Sequence, residues 1–119
     1  MVLLGAQADL LAKAMDVASL RQMVIASNVA NVNTPGYRQR EVAFEEALSK
    51  AIAKDDMRSA LAVEPEIVFG TGTATRADGN NVDIDREMTN LTKNTLLFRT
   101  ASQILAVQLR MMRSAITGR

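Results

Sequence analysis

The stretch ASNVANVNTPGYR, residues 26–38, fixes the end of a long helix and the start of everything after it. It opens in Ala-rich helical sequence and closes on Asn33, Thr34, Pro35 and Gly36. Asn and Gly tolerate left-handed geometry, and Pro cannot continue a helix, so the helix stops here. Pro35 fixes one φ angle, and Gly36 is a candidate for positive φ. Asn31 and Asn33 read as terminators. Asn28 sits a full turn earlier, where a poor helix former has no terminating work to do. Asn28 and Asn31 lie off the apolar line of the helix, so the sequence leaves their amides free to bond a neighbour's backbone.

Upstream, every third or fourth residue from Leu4 is apolar: Leu4, Ala8, Leu11, Met15, Ala18, then Ile25, Val29 and Val32, with Gln22 the one polar interruption. Four-three alternation over that length is a heptad seam and predicts a coiled-coil helix from Met1 to about Asn33. Downstream, a second seam runs through Ile84, Met88, Leu91, Thr95, Phe98, Ser102, Leu105, Leu109, Met112 and Ile116. It predicts a helix over 83–118, with Asp83 or Asp85 as N-cap, Glu87 favouring the positive end of the helix dipole, and Gly118 as the stop. Residues 34–82 are less regular. Val42, Phe44, Leu48 and Ile52 predict a short helix over 41–54. Residues 64–75, EPEIVFGTGTAT, favour extended or loop structure with a small hairpin possible, and Ala77 to Asn81 form a turn cluster. The expected fold is mainly α: an elongated single domain, 1–119, with two long terminal helices forming a coiled-coil core around a short helix and a small irregular or β middle.

Composition narrows the function. The 119 residues include no Cys and no His, which removes thiolate chemistry, the commonest general base and the usual zinc ligands. A formal charge of +1 gives no bulk case for nucleic acid or an anionic membrane. Aromatics are 3% of residues, too few to dominate a globular core, whereas Ala and Leu stripes suit helix–helix packing. The acids Asp78, Asp83, Asp85 and Glu87 fail the calcium-loop spacing and read as helix caps. Gly70-Thr71-Gly72 lacks the third Gly and the βαβ setting of a nucleotide fingerprint. The sequon at Asn90 falls within a predicted helix. Arg110 and Arg113 suit a solvated or intersubunit face better than a membrane surface. No catalytic, cofactor-binding or metal residue is expected, and no small-molecule substrate.

At residues 26–38 the sequence resembles the axial rod, hook and hook-associated proteins of the bacterial flagellum, whose shared N-terminal signature looks like this stretch. Asn28, Asn31, Asn33, Thr34, Pro35, Gly36 and Tyr37 carry that likeness as an assembly motif. A second stretch, Asp78-Gly79-Asn80-Asn81-Val82-Asp83-Ile84-Asp85-Arg86-Glu87-Met88, with Phe44 to Leu48 and the run Asn94 to Phe98, is similar to the proximal-rod subtype. Phe98 stands where that subtype has Tyr. The resemblance implies a structural subunit of the basal-body rod, placed in the proximal rod within the membrane ring and periplasm, that passes torque from motor to hook. It implies self-assembly through the terminal helices and export unfolded by the flagellar type III apparatus. The implied partners are itself, other rod proteins, the rod-base adaptor and ring components. Two other readings stay open: a sibling rod subunit, and a cytosolic helical adaptor that binds a partner helix in a groove.

Overall fold

The computed structural model describes residues 2–118, with side chains from Gly5 onward, so the Leu4 side chain that begins the first seam lies outside the described residues. Six elements follow in order: α1 (Val2–Ala30), β1 (Arg40–Ala43), α2 (Glu45–Ala53), α3 (Met57–Ala62), β2 (Glu66–Phe69) and α4 (Ile84–Thr117). The chain spans 64 × 30 × 14 Å, and its radius of gyration is 17.9 Å, against about 13.5 Å for a compact chain of this length.

The two long helices run antiparallel. Gln108 Nε2 donates to Gln7 Oε1 at 3.3 Å, Asn94 Nδ2 to the Ala18 carbonyl at 2.8 Å, and Asn28 Nδ2 to Glu87 Oε2 at 3.0 Å, so early residues of α1 meet late residues of α4. Local chemistry sets the ends of α4. Asp83 Oδ1 accepts from the backbone N–H groups of Asp85 and Arg86, which makes it the N-cap, and Gly118 closes the helix at φ 70°.

Two faces of α1 have their own partners. Ala18 and Ile25 are buried, and Asn94 of α4 reaches the Ala18 carbonyl. Val17 and Val24 form the hydrophobic core with Val42 and Phe44, flanked by Leu20, Leu48 and Val63. That second face carries a small layer: β1 pairs antiparallel with β2 in the register Arg40↔Phe69 to Ala43↔Glu66, with α2 and α3 between them in sequence. Arg21 donates to the Val42 carbonyl and pairs with Glu45 at 2.8 Å. Lys13 donates to the Leu61 carbonyl and pairs with Glu64 at 3.2 Å. These ions pin the layer to α1, although exposed pairs contribute only about 0–1 kcal/mol each.

Two expectations change. Residues 41–43 belong to a strand, and the helix begins only after Phe44. Val42 and Phe44 are both buried, a two-residue spacing that suits a strand on α1 and that a helix would split between faces. The extended stretch after Glu64 does form a strand, but its partner is β1, across two helices, so there is no hairpin. Helix α3 is an element the sequence did not announce. Its cap is Asp56, which accepts from Arg58 N at 3.1 Å and from the Ser59 hydroxyl at 2.6 Å.

The second seam is covered only in part. Along α4 the positions turned to α1 include Glu87, Asn94 and Ala101, buried at heptad spacing, with Leu91, Leu105 and Met112 partly buried beside them. Phe98, Leu109, Met88, Ile84 and Ile116 remain exposed in the single chain. The inner line therefore passes one residue before several of the seam positions, because a buried amide or carboxylate bonded to α1 anchors it. On α1, Leu11, Met15 and Val29 are half-buried and Ile25 is fully buried.

Candidate assembly site

The two motifs are remote in sequence and interlocked in space. Asn28 is 0% exposed at the end of α1 and uses its whole amide. Its Nδ2 donates to the Arg40 carbonyl at 2.8 Å and to Glu87 Oε2 at 3.0 Å. Its Oδ1 accepts from the Tyr37 hydroxyl at 3.0 Å and from Arg40 N at 3.1 Å. An Asn offers two donors and two acceptors, and here all four are taken. The expectation that this amide reaches out to a neighbour is thus corrected: it ties α1 to β1 and α4 of its own chain. Asn31 is also met within its own chain, by local bonds: it donates to the Ser27 carbonyl and accepts from the Thr34 hydroxyl.

Glu87, expected as a first-turn acid at the positive end of the helix dipole, is in fact 1% exposed. Its carboxylate accepts from Asn28 and, through the other oxygen, from Gln39 Nε2 at 2.9 Å. Gln39, itself 1% exposed, takes a further bond on its backbone: its N–H donates to Asn81 Oδ1 at 2.6 Å. A buried carboxylate is tolerable only when its lone pairs are met, and the two amides meet them. The result is a polar knot joining α1, the strand entry and the first turn of α4.

Asn80 forms the second half of the junction. Also 0% exposed, it donates from Nδ2 to the carbonyls of Asn31, Val32 and Thr34 at 2.8–3.1 Å, while its Oδ1 accepts from Val82 N at 2.8 Å. These carbonyls lie in the turn just past α1, and Asn80 meets all three from 46 or more positions away. Arg76 assists, donating to the Val32 and Val82 carbonyls. Gly36 N donates to the Asp78 carbonyl at 2.8 Å, so the two loops touch backbone to backbone. Both glycines at that touch have positive φ, 75° at Gly36 and 85° at Gly79, and a Cβ on Gly79 would stand 3.3 Å from Gly36 Cα.

The junction brings together Asn28, Asn31, Thr34, Gly36 and Tyr37 of the first motif with Asp78, Gly79, Asn80, Val82 and Glu87 of the second. Asp83 caps α4 at its edge. Asn33 and Pro35 are exposed on the outside of the loop, and Met88 points away, exposed. The sequence reading passed over Gln39 and Arg76, and it quoted Asn81 and Asn94 only as members of the turn cluster and the subtype stretches, with no role of their own. A detectable signal existed for Asn94: it follows Glu87 by one heptad, and Ala101 and Gln108 continue the line. Gln39 and Arg76 carried none, since the Gln39 side chain and N–H bond residues 42 and 48 positions away, and Arg76 reaches the Val32 carbonyl 44 positions back. Among the described residues no group of three or more metal-type side chains comes together, and no helix is long and apolar enough to cross a membrane.

Residues 9–38 match the family model described as flagella basal body rod protein. The flagellar basal body rod protein FlgB of Borrelia hermsii is 35% identical over 116 residues, covering 82% of this chain and 86% of that protein. FlgB of Bacillus subtilis is 29% identical over 117 residues, with 91% of each chain covered. FlgB of Salmonella typhimurium is 28% identical over 123 residues, with 89% of each covered.

Proposed function

The chain belongs to the FlgB family of flagellar basal-body rod proteins, and from that premise we propose how it serves the rod. It is a structural component of the basal body and meets other rod proteins there. The finer reading is that it stands in the proximal rod, within the membrane ring, and assembles with its own copies through α1 and α4 to carry torque from motor to hook. Its further neighbours are then the rod-base adaptor and ring components, its route out of the cell is the flagellar type III apparatus, and it has no catalytic role.

The interlocked junction carries this reading. It clamps the end of α1 to the start of α4 with bonds that are directional and buried, so the hairpin leaves it at one defined angle. A torque-bearing subunit needs such a fixed corner. The remaining length of both helices is left short of cover, which suits an assembly part. The accessible surface is 8061 Å², against about 6,300 Å² for a globular chain of 12.9 kDa. A helix-binding adaptor fits less well, since it would need a single groove, whereas here uncovered apolar residues run along both flanks of α4.

The test is electron microscopy of purified basal bodies carrying a tagged chain. Density at the ring-proximal end of the rod is expected. Density only at the distal rod or hook, or a tag that never enters basal bodies, would refute the placement.

A further inference from the structure

On the sheet-bearing side of the hairpin, Leu97, Ile104, Val107 and Met111 follow one another at spacings of seven, three and four along α4. Each is 44–53% exposed, a high value for large apolar side chains in a heptad line. Leu97 borders a cleft shared with Val24 and Val42, which places the stripe on the sheet side. On the opposite side, α1 offers a different surface. Asp9, Ala12, Asp16, Ser19, Met23 and Ala26 alternate three and four apart, all exposed, and apart from Met23 all are small or acidic. Ser19 and Met23 border an open groove of about 550 Å³ with Thr95 and Phe98.

We propose that these two surfaces cover one another between copies of this chain, the sheet-side stripe of α4 on one copy seating on the outer face of α1 of the next. This rests on the rod reading above and adds the faces and the polarity of the contact. Three observations select a second copy as the occupant. The first is shape. Within the chain, Gln7 is level with Gln108 and Asn28 with Glu87. Copies standing side by side in one orientation keep that register across the contact, which sets Ser19 level with Leu97 and Ala12 level with Ile104, small against large.

The second is charge. Beyond Glu87, α4 carries only Lys93, Arg99, Arg110 and Arg113, of which Arg99 lines the groove beside Ser19 and Met23 of its own chain, while the outer face of α1 carries Asp9 and Asp16 and no base of its own. A two-fold contact of the α4 stripe on itself would set large against large and cation against cation, so the head-to-tail arrangement is favoured. The third is area. The surface exceeds that of a globular chain by roughly 1,800 Å², close to two faces of about 800 Å² each, the size of an ordinary specific interface. A head-to-tail contact uses two faces per copy.

The chain contains no Cys, so engineered pairs report cleanly. Cells expressing Ser19→Cys/Leu97→Cys, or Ala12→Cys/Ile104→Cys, are oxidised, and their basal bodies are isolated and run without reductant. A ladder at multiples of the chain mass is expected from each double variant, and no dimer from any single variant. Three results overturn the proposal: dimers from a single variant, no ladder although the double variant is present in basal bodies, or a cross-linked band to a protein of another mass. If both double variants fail to enter basal bodies, a charge exchange decides. Asp9→Arg and Arg110→Asp should each reduce swimming, and together restore it at least in part; no restoration overturns the contact. Absence of the wild-type chain from basal bodies would refute the rod reading itself, a distinct result.

Discussion

Replacing Asn28 by Asp alters one atom of a side chain that has no exposed surface. The Asn28 amide nitrogen faces the Arg40 carbonyl at 2.8 Å and Glu87 Oε2 at 3.0 Å. In the variant an oxygen stands there instead, with no proton to give. Two buried hydrogen bonds are lost, and each unsatisfied group costs about 1–3 kcal/mol. Two carboxylates then sit about 3 Å apart, and at an effective dielectric of about 20 their repulsion is about 5 kcal/mol. The new charge also lies in the last turn of α1, at the negative end of its dipole. Proton uptake by one member of the pair caps the total, so the net loss at neutral pH is on the order of 4–6 kcal/mol, comparable to the whole stability of a small domain.

The pH dependence has a definite sign. The two carboxylates that Asn28→Asp would set face to face take up one shared proton more readily folded than unfolded, where they are far apart. The folded variant therefore binds more protons, and its stability falls as pH rises. Denaturant unfolding of the purified chain, followed by circular dichroism from pH 5 to pH 8, measures both effects. The variant should be unfolded or strongly destabilised at pH 8 and recover partly at pH 5, while Asn31→Asp, whose amide makes only local bonds, to Ser27 and Thr34, should lose about 1 kcal/mol. An Asn28→Asp chain within 1 kcal/mol of wild type at every pH would refute the account of the junction.

Three further outcomes follow from the geometry. Gly79→Ala should lower the thermal midpoint by the equivalent of about 1–3 kcal/mol, because Gly79 holds φ 85° and its new Cβ would press on Gly36 Cα; an unchanged midpoint would mean the loops do not touch. The Ser59 hydroxyl, the Ser59 backbone and Arg58 N hold the Asp56 carboxyl below its ordinary 3.8, so the cap of α3 is at full strength above that value and weakens as pH falls through the lowered one; amide exchange at Ala60 should speed up there in wild type and show no such step in Asp56→Asn. Hydrogen exchange on the dilute chain should protect 17–30 and 84–101 and leave 5–16 and 102–118 fast, because no side chain described in those outer halves is buried; uniform protection of both helices would show a hairpin stable by itself.

What the sequence determined by itself was whatever depends on neighbours within a turn. The length of the two helices follows from the four-three alternation. The stop near Gly36, the cap at Asp83 and the stop at Gly118 follow from side chains bonding their own local backbone. The lack of His and Cys narrowed the chemistry in the same direct way. Only tertiary structure decided the rest. Val42 and Phe44 fit either a strand or a helix until α1 is placed beneath them, since a short apolar run has no period long enough to choose. The second seam marked apolar positions but not which line would turn inward, because both flanks of α4 need cover and one chain supplies enough for one. Glu87 looked like a first-turn acid because dipole and capping are local effects, while the amides that bury it come from residues 48 and 59 positions away. Heptad spacing marks the line through Glu87 and Asn94, but bonds over such distances leave no trace of their partners in it. They exist only because packing α1 against α4 removes water from the junction and leaves those groups with no other partner.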